Sequence, residues 1–161
     1  MQTYYLRCQL LIVATIFLNL TACESNPSHR PTIGGAIKLV DNKEKGLCFL
    51  PNFETAYLTL TKKYEDLKFI NLSHVDVTRG DDPLSNKLVW QASTAPNQFY
   101  KLKEGESICM SQHLSELNVR NYSFLNNDKY TVTIRGMDDK KEYNLRFIER
   151  FVYPIKQKLS L

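Results

Sequence analysis

Apolar and polar residues alternate with a period of two along much of the chain beyond residue 35, which is the pattern of β-strands with one buried face. The alternation is clearest in residues 129–135 and 143–148, and the turn-forming residues 136–141 separate these two runs. They predict a β-hairpin with one apolar face that closes the sheet. Similar runs predict further strands over residues 36–40, 47–50, 55–60, 67–77, 87–92, 99–102 and 108–110, with a loop over 113–128.

Seven to nine short strands and no long amphipathic helix favour an all-β fold, an antiparallel β-sandwich of Ig-like architecture. A small β-barrel is the alternative. In a sandwich, the single tryptophan, Trp90, is expected in the core together with Cys48 and Cys109. The spacing of these three residues does not strictly reproduce that of immunoglobulin domains, so the prediction is limited to the architecture.

The first 22 residues predict a lipoprotein signal peptide. Arg7 is their only charge, and an apolar run of roughly a dozen residues follows it, which suits a secretory signal and is too short to span a bilayer. The run ends in Leu20-Thr21-Ala22-Cys23, which matches the bacterial lipobox, in which the cysteine thiol is acylated and becomes the first mature residue. An ordinary signal peptide that happens to contain a cysteine is the alternative.

Cys23 is therefore the predicted lipidation site, carrying palmitate among its acyl chains, and the membrane is a predicted partner through this anchor. Glu24 follows Cys23, where an aspartate would be the usual signal for retention in the inner membrane. We therefore expect the protein on the periplasmic side of the outer membrane, in preference to the inner membrane.

Composition changes divide the chain into four predicted segments. Residues 1–22 are the signal peptide, and residues 23–35, rich in Pro, Gly, Ser and Asn, are a lipidated tether. Residues 36–152 form the β-sandwich domain, and residues 153–161 form a basic C-terminal tail. The net charge of +4 is spread along the chain without a basic run, which disfavours nucleic-acid binding.

The four cysteines have different predicted fates. Cys8 leaves with the signal peptide and Cys23 takes the lipid, so Cys48 and Cys109 remain in an oxidising compartment, where a disulfide is the default. Their separation is not a zinc or redox motif. Two buried free thiols are the alternative.

Catalytic motifs are absent from the sequence. The chain has neither a Gly-x-Ser-x-Gly nucleophile motif nor a glycine-rich phosphate loop, and its three histidines are scattered without a second metal ligand at helical or strand spacing. We therefore predict a protein that is not an enzyme and has no cofactor or metal. The aspartate pairs 81–82 and 138–139 are interpreted as solvated turns. Tyr122, Phe124 and Tyr153 are candidate anchors of a binding surface.

Several short motifs follow the lipobox in a fixed order: Gly46-Leu47-Cys48-Phe49, Val89-Trp90-Gln91, Tyr100-Lys101-Leu102, Gly105-Glu106-Ser107-Ile108-Cys109, Leu125 with Lys129-Tyr130-Thr131-Val132, and a closing strand from Tyr143 to Phe147. This order resembles that of the type VI secretion immunity periplasmic lipoproteins, a family of small lipoproteins of Gram-negative bacteria. The chain departs from the family pattern at Met110-Ser111, where a Tyr-Gly pair often follows, and in lacking a cysteine near Phe147.

The resemblance implies a self-protection function. The protein would bind a cognate toxin, a type VI effector delivered by sibling cells, and would neutralise it in the periplasm without catalysis. A different class of function is a structural or assembly accessory of an envelope complex that docks through an edge strand. A carrier of a small ligand is a third hypothesis and would need an apolar cavity.

Overall fold

The computed structural model describes residues 30–59, 62–80, 87–122 and 125–154. These residues form eleven strands and one short 3-10 turn, Phe53–Thr55. The predicted all-β fold is confirmed. The strands are β1 Thr32–Asn42, β2 Gly46–Pro51, β3 Tyr57–Thr59, β4 Lys62–Lys63, β5 Phe69–Arg79, β6 Lys87–Ser93, β7 Tyr100–Lys103, β8 Ile108–Cys109, β9 Asn118–Asn121, β10 Asp128–Met137 and β11 Asn144–Tyr153.

The strands pair in a sandwich-like arrangement of two sheets that share β1. The large sheet has the order β4-β3-β1-β11-β10-β5-β6-β9, and β7 pairs with the first part of β5. In the small sheet, β2 pairs with β1 and with β8. Residues 32–36 of β1 pair with β11, whereas residues 37–42 pair with β2, so this strand passes from one sheet to the other.

Nearly all strand pairs in the described ranges are antiparallel, and β1 with β11 is the exception. These two parallel strands are the first and last of the domain, so the rest of the domain connects them. A single crossover segment between them is therefore not needed. The sheet is therefore mixed. The hairpin of β10 and β11 is confirmed over ten register pairs, but it lies at the centre of the large sheet and does not form its edge.

The hydrophobic core holds the apolar faces of both sheets. Phe49 of the small sheet contacts Trp90 of the large sheet, with ring centroids 5.8 Å apart, and Trp90 is fully buried. Phe53 approaches Phe147 at 6.2 Å. Ring pairs at these separations add to the free energy gained by burying the apolar surface.

The predicted disulfide between Cys48 and Cys109 is present, and both residues are buried. The two cysteines are register partners on β2 and β8, so the bond joins neighbouring strands of the small sheet. Because β8 has only two residues, the covalent bond supplements a short hydrogen-bonded ladder. Trp90 packs on Phe49, the residue that follows Cys48.

The domain boundaries differ from the predicted ones at both ends. β1 begins at Thr32, within the predicted tether 23–35, and β11 continues to Tyr153, the first residue of the predicted tail. Gly34 and Gly35 suggested a linker, but both are paired with β11. A Cβ atom on Gly35 would overlap the ring of Phe147, so glycine is what allows the strand to pass over this side chain. The predicted signal peptide, residues 1–22, and the predicted lipidation site, Cys23, lie outside the described residues.

Two local predictions are also corrected. Strand β9 forms within residues 113–128, predicted as a loop, because its backbone pairs with β6 despite four exposed side chains.

Asp138 lies in a turn as predicted, but it is fully buried instead of solvated. Its carboxylate accepts hydrogen bonds from the Tyr143 backbone N–H at 2.8 Å and from the Tyr64 hydroxyl at 3.3 Å. Burial and this carboxylate raise the pKa of Tyr64 to about 12.

In the described ranges, no helix is long and apolar enough to cross a membrane.

Candidate functional site

Seven residues form a continuous line across the large sheet because each is the register partner of the next. Directly paired residues point to the same face of a sheet, so the seven share one face. We name this set the transverse row: Tyr57, Gly34, Arg146, Arg135, His74, Ser93 and Asn118, on β3, β1, β11, β10, β5, β6 and β9 respectively. With neighbouring strands about 4.8 Å apart, the row extends over roughly 29 Å.

The row lies on the face opposite the core. Arg135 and Arg146 are exposed, and Tyr57 retains 44% of its accessible surface. Their strand neighbours Ile134 and Leu145 are buried on the opposite face, as the two-residue period of a strand requires. Gly34 separates Tyr57 from Arg146, and a Cβ atom there would contact nothing within 4 Å. The row therefore has a gap at its glycine.

A β-bulge at Ser73 shapes the middle of the row. His74 pairs with Arg135 but Leu72 pairs with Gly136, so Ser73 is an extra residue without a register partner on β10. The two backbones approach closely beside the bulge, where a Cβ atom on Gly136 would overlap the carbonyl oxygen of Asn71. Bulges redirect side chains. Consecutive residues Ser73 and His74 both face the same hollow here.

Two adjoining hollows of about 470 and 410 Å³ open along this part of the row, and they share Ser73, His74 and Phe99. The larger one is also lined by Arg135 and Arg146, with Met137 and Leu145 as apolar neighbours. The turn before β7 places Phe99 between the two hollows, where it lines both of them. In that turn, Asn97 has a φ of 62°, a left-handed conformation that asparagine tolerates, and the Thr94 hydroxyl donates to the Gln98 carbonyl oxygen at 2.7 Å.

Polar contacts position His74. Its Nδ1 is 3.0 Å from Ser73 Oγ, and its Nε2 is 3.5 Å from Asp76 Oδ2. The other oxygen of Asp76 accepts a hydrogen bond of 2.7 Å from Gln91 Nε2. Burial lowers the pKa of His74 from its ordinary value of 6.5, the Asp76 carboxylate raises it, and Arg135 lowers it again, with a net downward shift.

Ser73, His74 and Asp76 have the residue types of a hydrolase triad, but their hydrogen bonds favour a positioning role. The Ser73 hydroxyl donates to the carbonyl oxygen of Arg135 at 3.0 Å, so its single proton is not directed at the imidazole. A triad base must instead accept the proton of the serine.

Arginine is concentrated on this face. Four of the seven arginines in the sequence, Arg120, Arg135, Arg146 and Arg150, lie on it and are exposed. Asp76 lies on the same face, but its two oxygens contact His74 and Gln91. Arginine carries its charge at any physiological pH and binds carboxylates through two parallel hydrogen bonds. The face is therefore suited to an anionic ligand.

The residues singled out from the sequence do not assemble into this site. Cys48 and Cys109 lie in the small sheet, and Cys23 and Phe124 lie outside the described residues. Tyr122, just beyond β9, retains 50% of its surface, whereas Tyr153 is half-buried.

The alternation in residues 129–135 and 143–148 already placed Arg135 and Arg146 opposite the apolar face. The alternation does not indicate the order of the strands, and this order brings the residues of the transverse row together.

His74 and His113 are the two histidines within the described ranges, and His113 is exposed. In the same ranges, no group of three or more His, Cys, Asp or Glu residues is arranged to hold a metal ion.

Comparison of the chain with protein-family models, with curated proteins and with solved structures finds no match.

Proposed function

We propose that this chain is a lipid-anchored periplasmic immunity protein that binds a cognate type VI secretion effector and neutralises it. The family resemblance of the ordered motifs, from the lipobox to the closing strand at residues 143–147, suggests this class of function. The observation that carries the proposal is the open transverse row, in which Tyr57, Arg146 and Arg135 are exposed together on one sheet face. Tyrosine and arginine are enriched among the residues that dominate protein–protein binding energies.

Neutralisation by binding needs a preformed complementary surface and no chemical step. A sheet face meets the first need, since its side chains are fixed relative to one another by the strand ladders. Lipidation at Cys23 would hold this surface on the periplasmic side of the outer membrane, where an incoming effector arrives. More than one acyl chain gives stable anchoring, so the protein would remain at the membrane while it waits for its partner.

A protection assay tests the proposal. Each candidate effector encoded beside the gene is directed to the periplasm of a Gram-negative host, with and without the full-length protein. We expect the full-length protein to restore growth against one candidate, because a specific surface matches one partner. Unchanged toxicity of every candidate in the presence of the protein would overturn the proposal.

A second candidate function, an assembly accessory of an envelope complex, is favoured by one observation. Strand β9 lies at the end of the large sheet, and all four of its residues are exposed. An edge strand of this kind can pair with an extended segment of another protein. Copurification with envelope components, without any secreted toxin, is the result expected for this alternative.

A further inference from the structure

We propose that the transverse row is the docking surface for a protein segment that presents carboxylates, with the carboxylates bound by Arg135 and Arg146. This inference rests on the proposed function insofar as it identifies the partner with the effector, and it adds where on the molecule the effector binds and what chemistry its contact surface must have. The surface itself is defined by strand register and exposure alone.

Charge complementarity selects an acidic partner. Arg135 and Arg146 are register neighbours on β10 and β11, so their side chains leave adjacent positions on the same face of the sheet. Asp76 is an acidic side chain on this face, and its two oxygens contact Gln91 and His74. The positive charge of the two arginines is therefore not balanced by Asp76, and a carboxylate from a partner would supply charge-assisted hydrogen bonds.

The gap at Gly34 gives the surface its shape. Gly34 is flanked by Tyr57 on one side and Arg146 on the other, and the space where its side chain would lie is open. Strands β3 and β11 are two strand spacings apart, so the gap between the flanking residues is about 10 Å wide. A side chain from the partner can enter it with the Tyr57 ring on one side and the guanidinium of Arg146 on the other.

The hollow that Arg135 and Arg146 help to line adds an apolar contact. Phe99 and Met137 line it together with the two arginines. Lys141 Nζ lies 5.0 Å from the centroid of the Phe99 ring and brings another positive charge to this edge. An acidic segment that also carries an aromatic or aliphatic residue fits this arrangement. The central apolar contact with a charged rim is typical of protein–protein interfaces.

The principal test is charge reversal. The double variant Arg135→Glu/Arg146→Glu is compared with the matched control Lys38→Glu/Lys45→Glu, which makes the same change in net charge at exposed positions on β1 and before β2. In the protection assay, we expect the arginine variant to lose protection and the lysine control to retain it. With the purified effector, the arginine variant should raise Kd about 100-fold or more, as close interfacial charge pairs do.

Gly34→Trp tests the gap independently of charge. The added ring occupies the open space, so it should abolish protection while the thermal unfolding midpoint stays close to that of the wild type. If the wild type protects and both the arginine variant and Gly34→Trp protect equally well, the docking surface is overturned while the immunity function stands.

If the wild-type protein protects against no candidate, the immunity function alone is overturned. A peptide titration then tests whether the transverse row binds an acidic segment. The probe is the peptide acetyl-Asp-Glu-Phe-Glu-Asp-amide, titrated into the full-length protein in detergent micelles and followed by NMR. Shifts centred on residues of the transverse row that disappear in Arg135→Glu/Arg146→Glu support an acid-binding surface. Absent shifts, or shifts that persist in that variant, overturn the docking surface as well.

Discussion

Adjacent glycines on β1 have opposite surroundings. The Cβ position of Gly34 faces open space on the outer side of the large sheet, whereas that of Gly35 falls on the buried ring of Phe147. From the sequence, the pair indicated only a flexible linker, because glycine is common in linkers and uncommon in strands. The contact with Phe147 depends on a parallel pairing between residues more than 100 positions apart, so no local pattern predicts it.

These two glycines give a matched pair of stability predictions. Gly35→Ala should lower the free energy of unfolding by about 1–3 kcal/mol, because its methyl group overpacks the core against Phe147. Gly34→Ala should leave it unchanged or raise it by about 0.5 kcal/mol, because the methyl group meets no atom and restricts the unfolded chain. Urea unfolding of the two variants measures the difference, and equal effects would contradict the assigned strand faces.

The titration of His74 gives a second prediction at this scale. Asp76→Asn removes the neighbour that raises the pKa of His74, so we expect the pKa to fall further below 6.5. Arg135→Gln removes a neighbour that lowers it, so the pKa should rise. NMR titration of the imidazole protons measures both shifts, and a rise in the pKa on Asp76→Asn would contradict the described contacts.

The same shift has a consequence for stability. Because the pKa of His74 is lower in the folded state than in the unfolded state, the unfolded chain binds the proton more readily between the two values. The contribution of His74 to stability is therefore present above pH 6.5 and is lost as the pH falls toward the folded pKa. His74→Gln should remove this part of the pH dependence.

At the scale of the element, local alternation predicted the strands that have one buried and one exposed face. The hairpin β10–β11 is the clearest example, with Val132 and Phe147 buried on the face that the pattern predicted. Strand β9 was missed because none of its four side chains is buried. Its strand conformation comes from backbone pairing with β6, and a hydrophobic pattern carries no information on such a contact.

A disulfide joins the short strand β8 to β2. We expect that Cys48→Ala/Cys109→Ala lowers the free energy of unfolding by about 2–5 kcal/mol, mainly because the unfolded chain gains freedom when the 61-residue separation is no longer closed. Urea unfolding with and without dithiothreitol measures this effect. The reductant should destabilise the wild type and leave the double variant unchanged, and a wild type insensitive to the reductant would contradict the prediction.

At the scale of the whole molecule, the sequence predicted the fold class and the disulfide but not the candidate site. The transverse row draws its residues from seven strands, from Gly34 on the first to Arg146 on the last. Its existence depends on the strand order, above all on the parallel contact of β1 with β11, which places the gap at Gly34 beside Arg146. The hydrophobic pattern of a strand indicates which of its side chains face the core. Packing of the complete domain decides which strands lie next to one another.

The function that we propose for the whole molecule is the binding of an effector through a preformed face. The most direct test is a calorimetric titration of the detergent-solubilised full-length protein with each purified candidate effector encoded beside its gene. We expect a one-to-one complex with a nanomolar Kd for one candidate, and we expect the affinity to fall as salt is added because arginine–carboxylate contacts are screened. No binding of any candidate at micromolar concentrations would contradict it.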